Sequence, residues 1–220
     1  MHHPWDSQTF VSGCRKEGRS ESTIQACLAA ARAVKRKHPD LPVIFTLNHL
    51  ASLTDVSANF LQEIAHRKVD PYRVFRVKKR GLPNKVPAPP RRYRTICVPD
   101  PKLMRVQRWI AQNILNVTPV HDACFAFCEG RDLVGAAKKH AGAKWLVKMD
   151  VRHYVPGARA SLGRGGGGPY RWHMMGHLPQ GAPTSPMLAN RAAEALDQRL
   201  NRIAKHEGWI YTRYADDLAF

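Results

Sequence analysis

Apolar residues recur at helical spacing through residues 1–70, and the period then changes to two. Ser22-Thr23-Ile24-Gln25 reads as a capping box opening an Ala-rich helix. That helix closes on Lys35-Arg36-Lys37, and Pro39 and Pro42 stop it from continuing. Between 47 and 67 apolar side chains fall at 47, 50 and 53, then at 56, 60, 61 and 64. This predicts two short helices hinged near Thr54-Asp55-Val56. Such a pair has the outline of a helix-turn-helix, although short helical pairs more often serve as packing elements.

From Tyr72 the chain alternates. Tyr72-Arg73-Val74-Phe75-Arg76-Val77-Lys78 and Tyr93-Arg94-Thr95-Ile96-Cys97-Val98 read as two strands. The basic, Pro-rich stretch 79–92 joins them into a hairpin able to lean over a phosphate. Pro101 opens a helix with Leu103, Val106, Ile110, Ile114 and Val117 on one face and Trp109 beside that stripe in the core.

A short helix is expected over 132–140 and a buried strand over 144–151. In that strand Trp145, Val147, Met149 and Val151 would face helices, while Leu146, Lys148 and Asp150 look into a cleft. Ser185-Pro186 reads as N-cap and first position of another helix. Its expected buried stripe is Leu188, Ala192, Leu196, Leu200 and Ile203, with Gly208 at its end. A strand over 209–214 then delivers Asp216 and Asp217 to a turn. The fold class is α/β (α+β).

Composition narrows the function. In 220 residues, 44% hydrophobic content supports a real core, so wholesale disorder is excluded. Thirty-five Lys and Arg against 17 Asp and Glu give a formal charge of +18 spread along the chain, which points to a polyanion, with nucleic acid first. Five cysteines without a CxxC suggest free thiols in a reducing compartment. His121, Cys124, Cys128 and His140 could be drawn as a zinc site, but their spacing fits no common finger, and buried structural cysteines are the simpler expectation. No signal-peptide pattern and no membrane-length apolar run occurs, so a cytoplasmic protein is expected.

The chemistry lies in three blocks taken in order: Asp150 ending its strand, Leu178-Pro179-Gln180-Gly181-Ala182-Pro183-Thr184-Ser185-Pro186, and Tyr214-Ala215-Asp216-Asp217. An Asp pair at a turn is ordinary alone, since Asp favours turns. Nucleotidyl transfer, however, needs mainly positioning and charge, with two divalent ions about 3.5–4 Å apart held by hard oxygen ligands. Together the blocks resemble the palm motifs of bacterial reverse transcriptases, most closely those of retrons. Arg94-Thr95-Ile96, Pro99, Gln107-Arg108-Trp109-Ile110 and the stretch Asp70-Pro71-Tyr72-Arg73-Val74-Phe75 resemble the fingers of the same enzymes. Ala136-Ala137-Lys138-Lys139-His140 is similar to a further element of theirs, without its Asn.

The resemblance implies a right-handed RNA-directed DNA polymerase, with fingers and palm present and the thumb missing. It implies a helical region over 1–70, a fingers-like hairpin and helices over 71–143, and a partial palm over 144–220. Asp150, Asp216 and Asp217 are then the catalytic carboxylates, Asp150 and Asp216 as the bridging pair with Asp217 beside them, and with Val151 they hold two Mg²⁺ ions. Arg94 and Lys85 would meet the incoming triphosphate, and Gln180 and Gly181 would line the nucleotide pocket. The implied partners are a structured non-coding RNA serving as template and primer, deoxynucleoside triphosphates and the RNA–DNA duplex.

Two departures stand out. After Asp150 the run Val151-Arg152-His153-Tyr154-Val155-Pro156-Gly157 puts Val155 where the family carries the second aromatic, the one that rejects a 2′-hydroxyl, so discrimination against ribonucleotides should weaken. Residues 157–168, ending in four glycines, read as a flexible linker in place of a longer bracing segment, as a deletion or a shifted frame would leave. With the chain ending at Phe220 and no thumb, weak grip on nucleic acid is expected, and the rival functions are a non-catalytic basic RNA-binding remnant and a helix-turn-helix DNA-binding protein.

Overall fold

The computed structural model describes residues 6–78, 93–151 and 178–220. Helix α1 (Ser7–Lys16) is capped by Asp6, whose carboxylate accepts from the Gln8 and Thr9 amides. Helix α2 (Glu21–Lys37) starts earlier than the capping box predicts: Ser20 is its cap, accepting from the Thr23 amide at 3.3 Å. The earlier start puts Glu21 in the first turn, where it also pairs with Arg15 of α1 at 2.6 Å. Ile24, Leu28 and Ala31 form the buried stripe.

Helices α3 (Leu47–Thr54) and α4 (Ala58–Ala65) meet at Asp55, which adopts the left-handed conformation (φ 51°) that a sharp hinge needs. Ala51 and Leu61 bury against Val106 of α5 (Pro101–Ile110), with Leu50, Val56, Phe60 and Ile110 around them. Arg105 of α5 donates to the Asp55 carbonyl at 2.9 Å and to its carboxylate at 3.0 Å. Packing on α5 therefore accounts for the helix-turn-helix outline.

After Ile110 the helix widens into a π-helical turn at Ala111–Leu115. Ala111 opens that turn buried, and the extra residue in it rotates the residues that follow, so Val117, expected on the inner face, is exposed.

Strands β1 (Tyr72–Lys78) and β2 (Tyr93–Pro99) form the expected antiparallel hairpin, in register from Tyr72↔Pro99 to Lys78↔Tyr93. Gln107 of α5 donates to the Tyr72 hydroxyl at 2.6 Å and so ties the hairpin to the helix. The joining stretch 79–92 and the Gly-rich stretch 157–168 lie outside the described residues.

The short helix is α6 (Leu133–Lys139), capped by Asp132. A second sheet has the order β3-β5-β4, all antiparallel: β3 (Lys148–Asp150), β4 (Thr212–Tyr214) and β5 (Asp217–Ala219). Here the sequence expectation of a buried strand fails. β3 is short and exposed, with Met149 51% accessible, and Trp145 before it is 86% accessible. Both β3 and β4 are edges of this sheet, and among the described residues the helices cover the β4 edge while β3 pairs with β5 alone.

Those helices are α7 (Ser185–Ala192) and α8 (Glu194–His206). Thr184 precedes α7 as its cap residue, and Ser185 lies inside the first turn, its hydroxyl donating to the Pro179 carbonyl at 2.7 Å. The expected stripe is rotated: Ala189, Asn190, Ala193, Asp197 and Ala204 are buried, while Leu188, Leu196 and Ile203 are exposed. Two polar residues point inward because a buried cation awaits them on β4. Gly208 (φ 71°) closes α8, with the Trp209 amide donating to the Ala204 carbonyl at 2.7 Å, a Schellman ending. Ala123, Ala204, Tyr211 and Leu218 form the core under the sheet. Among the described residues no helix is long and apolar enough to cross a membrane.

Candidate functional site

The β4–β5 hairpin turns on two residues, Ala215 and Asp216, between the last cross-strand pair Tyr214↔Asp217. Ala215 has φ 55°, an uncommon conformation for a residue with a Cβ, so the turn needs support. Arg213 supplies it by donating to the Ala215 carbonyl at 3.2 Å.

Arg213 is wholly buried. Its guanidinium donates to both carboxylate oxygens of Asp197, at 2.7 and 2.6 Å, and to Asn190 Oδ1 at 3.0 Å. Tyr211 donates its hydroxyl to the same Asp197 at 2.7 Å, and Asn190 donates to the Ala126 carbonyl at 2.8 Å. The Arg213 backbone completes the joint by bonding Ala123 and Phe125. One residue thus binds the carboxylate turn to α7 and α8 through its side chain and to the 123–125 segment through its main chain. The sequence reading missed this group. Asn190 and Asp197 stand seven apart, and Tyr211 and Arg213 two apart, spacings that share a face, but hydropathy does not mark that face as inward.

Asp150 of β3 lies directly opposite Asp217 of β5, and the Val151 amide donates to the Asp216 carbonyl at 2.8 Å. That bond marks Asp150 and Asp217 as a non-hydrogen-bonded pair, the type whose side chains stand closer on one face. Asp216 occupies the turn and is exposed. Lys148, on the same face two residues before Asp150, reaches Asp217 at 3.0 Å. The four residues 150, 151, 216 and 217 are therefore brought together.

The remaining predicted residues form a second group on the other sheet. The Cys97 amide of β2 donates to the Gln180 carbonyl at 2.8 Å. Gly181 has φ 114°, and a Cβ there would come within 3.0 Å of the Cys97 carbonyl oxygen. The close approach that glycine permits is made, in this structure, to the protein's own strand. Arg94 lies exposed on that same strand, opposite Val77. Lys85 and Val155 lie outside the described residues.

The donor chemistry suits a hard divalent cation: two carboxylates opposed on one face, a third in the adjoining turn. Among the described residues, though, no three His, Cys, Asp or Glu side chains converge on a single ion position. Magnesium typically takes only one or two protein carboxylates and fills its octahedron with water and substrate phosphate, so the pair fits such an ion. The zinc alternative does not assemble. His140 Nε2 bonds the Thr212 hydroxyl at 2.8 Å, while Cys124 and Cys128 stand 3.5 Å apart with the Cys128 thiol pushed up to about 12 by burial and by its neighbour.

Comparison with curated proteins finds relatives among one group. The chain is 31% identical over 195 residues to the Retron Ec86 reverse transcriptase of Escherichia coli, a match covering 81% of this chain and 57% of that protein. It is 35% identical over 158 residues to the Retron Mx162 reverse transcriptase of Myxococcus xanthus, covering 58% of this chain and 32% of that one. With the Retron Mx65 reverse transcriptase of the same organism it shares 30% over 216 residues, 82% of this chain and 48% of the relative. The chain spans about half the length, or less, of the curated relatives it matches. No protein-family model matches it.

Proposed function

The chain is a relative of the retron-type reverse transcriptases, and on that relation we propose that it carries the fingers and palm of an RNA-directed DNA polymerase. The observation that supports this most is the opposition of Asp150 and Asp217 on one sheet face, beside a turn braced by Arg213. The β1–β2 hairpin with α5 is the fingers, and the three-stranded sheet with α7 and α8 is the palm. The division into 1–70, 71–143 and 144–220 accords with this, its parts joined by α3 on α5 and by the 123–125 segment on Arg213.

In this reading Asp150, Asp216 and Asp217, with the main chain of Val151, hold the ions, and magnesium suits their oxygen donors. Bound there, two such ions would activate the primer 3′-hydroxyl and stabilise the departing pyrophosphate. Arg94 offers a guanidinium fork to the triphosphate, Lys85 adds a second cation, and Val155 is the residue assigned to the sugar. Gln180 and Gly181, seated on β2, border the nucleotide pocket. The substrates are deoxynucleoside triphosphates, and the template and primer are a structured non-coding RNA that becomes an RNA–DNA duplex. A cytoplasmic location goes with these partners.

A non-catalytic RNA-binding role is the second reading, favoured by Lys148 on Asp217. Primer extension by the parent beside an Asp150→Ala variant separates the two: extension lost in the variant with RNA binding retained supports the polymerase, no extension from a parent that binds RNA sinks it, and extension unchanged in the variant removes Asp150 from the site.

A further inference from the structure

The carboxylate pair already has a cation of its own. Lys148 stands on the face that carries Asp150, and the register places it diagonally across from Asp217, with Nζ 3.0 Å from Oδ1. Two like charges directly opposite one another in a sheet repel, and the ammonium relieves that repulsion. The contact is not locked. The side chains are 63% and 40% accessible, and a lysine stem is long and flexible.

We propose that Lys148 is a built-in competitor for the divalent ion at Asp217, occupying the carboxylate until an ion displaces it and then presenting its charge to the same open face. This rests on the reading of the carboxylates as a metal site. Asp150, Asp217 and Lys148 together sum to one negative charge, which is a weak lure for a dication. Removing the ammonium from Asp217 restores two negative charges to the ion. The displaced ammonium remains tethered beside the site, where a phosphate is the group it suits. Ion and phosphate then favour each other through Lys148, and the coupling acts equally in both directions.

Manganese binding tests this without any polymerase activity. Free Mn²⁺ would be read by electron paramagnetic resonance on the full chain, at low ionic strength. Lys148→Met keeps the stem length and removes the charge, so it should bind Mn²⁺ about three- to tenfold more tightly than the parent, the scale of one nearby charge in polar surroundings. Lys144→Met, which changes net charge equally away from the pair, should shift affinity by less than about twofold. In an Asp217→Asn background the Lys148→Met gain should vanish. Equal affinity for the parent and Lys148→Met, with binding lost in Asp217→Asn, overturns the role of Lys148 and leaves the metal site standing. No Mn²⁺ bound by any variant overturns the metal-site reading itself, and the proposal with it.

Discussion

Arg213 and Asp197 form an ion pair with both side chains at 0% exposure, joined by two hydrogen bonds of 2.7 and 2.6 Å. Arg213 lies next to the carboxylate turn and Asp197 lies in α8, while Asn190 of α7, the helix that follows the Gln180–Gly181 block, accepts from the same guanidinium at 3.0 Å. Through this guanidinium, by way of Asn190, two of the three sequence blocks that define the site are coupled.

Breaking it by truncating one partner leaves the other charge buried and uncompensated, which typically costs about 3–5 kcal/mol. Asp197→Ala is therefore expected to lower stability by that order in urea unfolding. Arg213→Lys should also destabilise, because an ammonium cannot reproduce the paired donors of a planar guanidinium. A stability within about 0.5 kcal/mol of the parent for Asp197→Ala would mean the joint is not what holds the turn.

Gly181→Ala adds a Cβ at a φ of 114° and within 3.0 Å of the Cys97 carbonyl. Strain of this kind costs about 1–3 kcal/mol, and the cheapest relief is separation of the Gln180 segment from β2. Faster hydrogen exchange at the Cys97 amide is the expected sign, since that amide bonds Gln180. Unchanged exchange with unchanged stability would contradict the docking.

The Cys128 thiol is pushed up to about 12 by burial, with the neighbouring Cys124 adding to the effect. Less thiolate in the folded state means slower alkylation. At pH 8 Cys128 should react far more slowly with iodoacetamide in the folded chain than in the unfolded one. Linkage gives the sign for stability: the folded thiol resists ionisation, so its contribution is intact below the ordinary thiol range and is lost as pH rises from there towards 12. Peptide mapping after pulsed labelling checks the first statement, and alkaline unfolding curves for Cys128→Ala check the second.

Val155 replaces an aromatic in the resemblance to retron enzymes, so Val155→Phe should sharpen preference for deoxynucleotides over ribonucleotides by about tenfold in the ratio of kcat/KM values. An unchanged ratio would remove Val155 from the sugar site.

Much of this architecture was legible from pattern. A period near two gave the β1–β2 hairpin, the hinge at Asp55 showed as a gap between two apolar faces, and Gly208 marked the end of α8. The inward turn of Asn190 and Asp197 was not legible, because hydropathy sorts polar residues outward and only a buried partner reverses that. The exposure of β3 was hidden for a related reason: an apolar edge strand and an apolar central strand read alike until their neighbours are known. Ser20 and Ser22 are both competent caps, and the helix uses Ser20, with Glu21 then in its first turn beside Arg15 of the preceding helix. At the site, the order of the blocks brought the three carboxylates together, but the expected bridging pair was Asp150 with Asp216, and it is Asp217 that stands opposite Asp150 while Asp216 occupies the turn. The Lys148 contact was not foreseen, since strand position gives a face but not a partner.

The most direct test is primer extension by the purified 220-residue chain on an RNA template, with Mg²⁺ and deoxynucleotides, beside an Asp216→Ala/Asp217→Ala variant. Extension by the parent that disappears in the variant is the predicted result. Extension that survives loss of both carboxylates, or none from a parent that still binds the RNA, would contradict the assignment of this turn to nucleotidyl transfer.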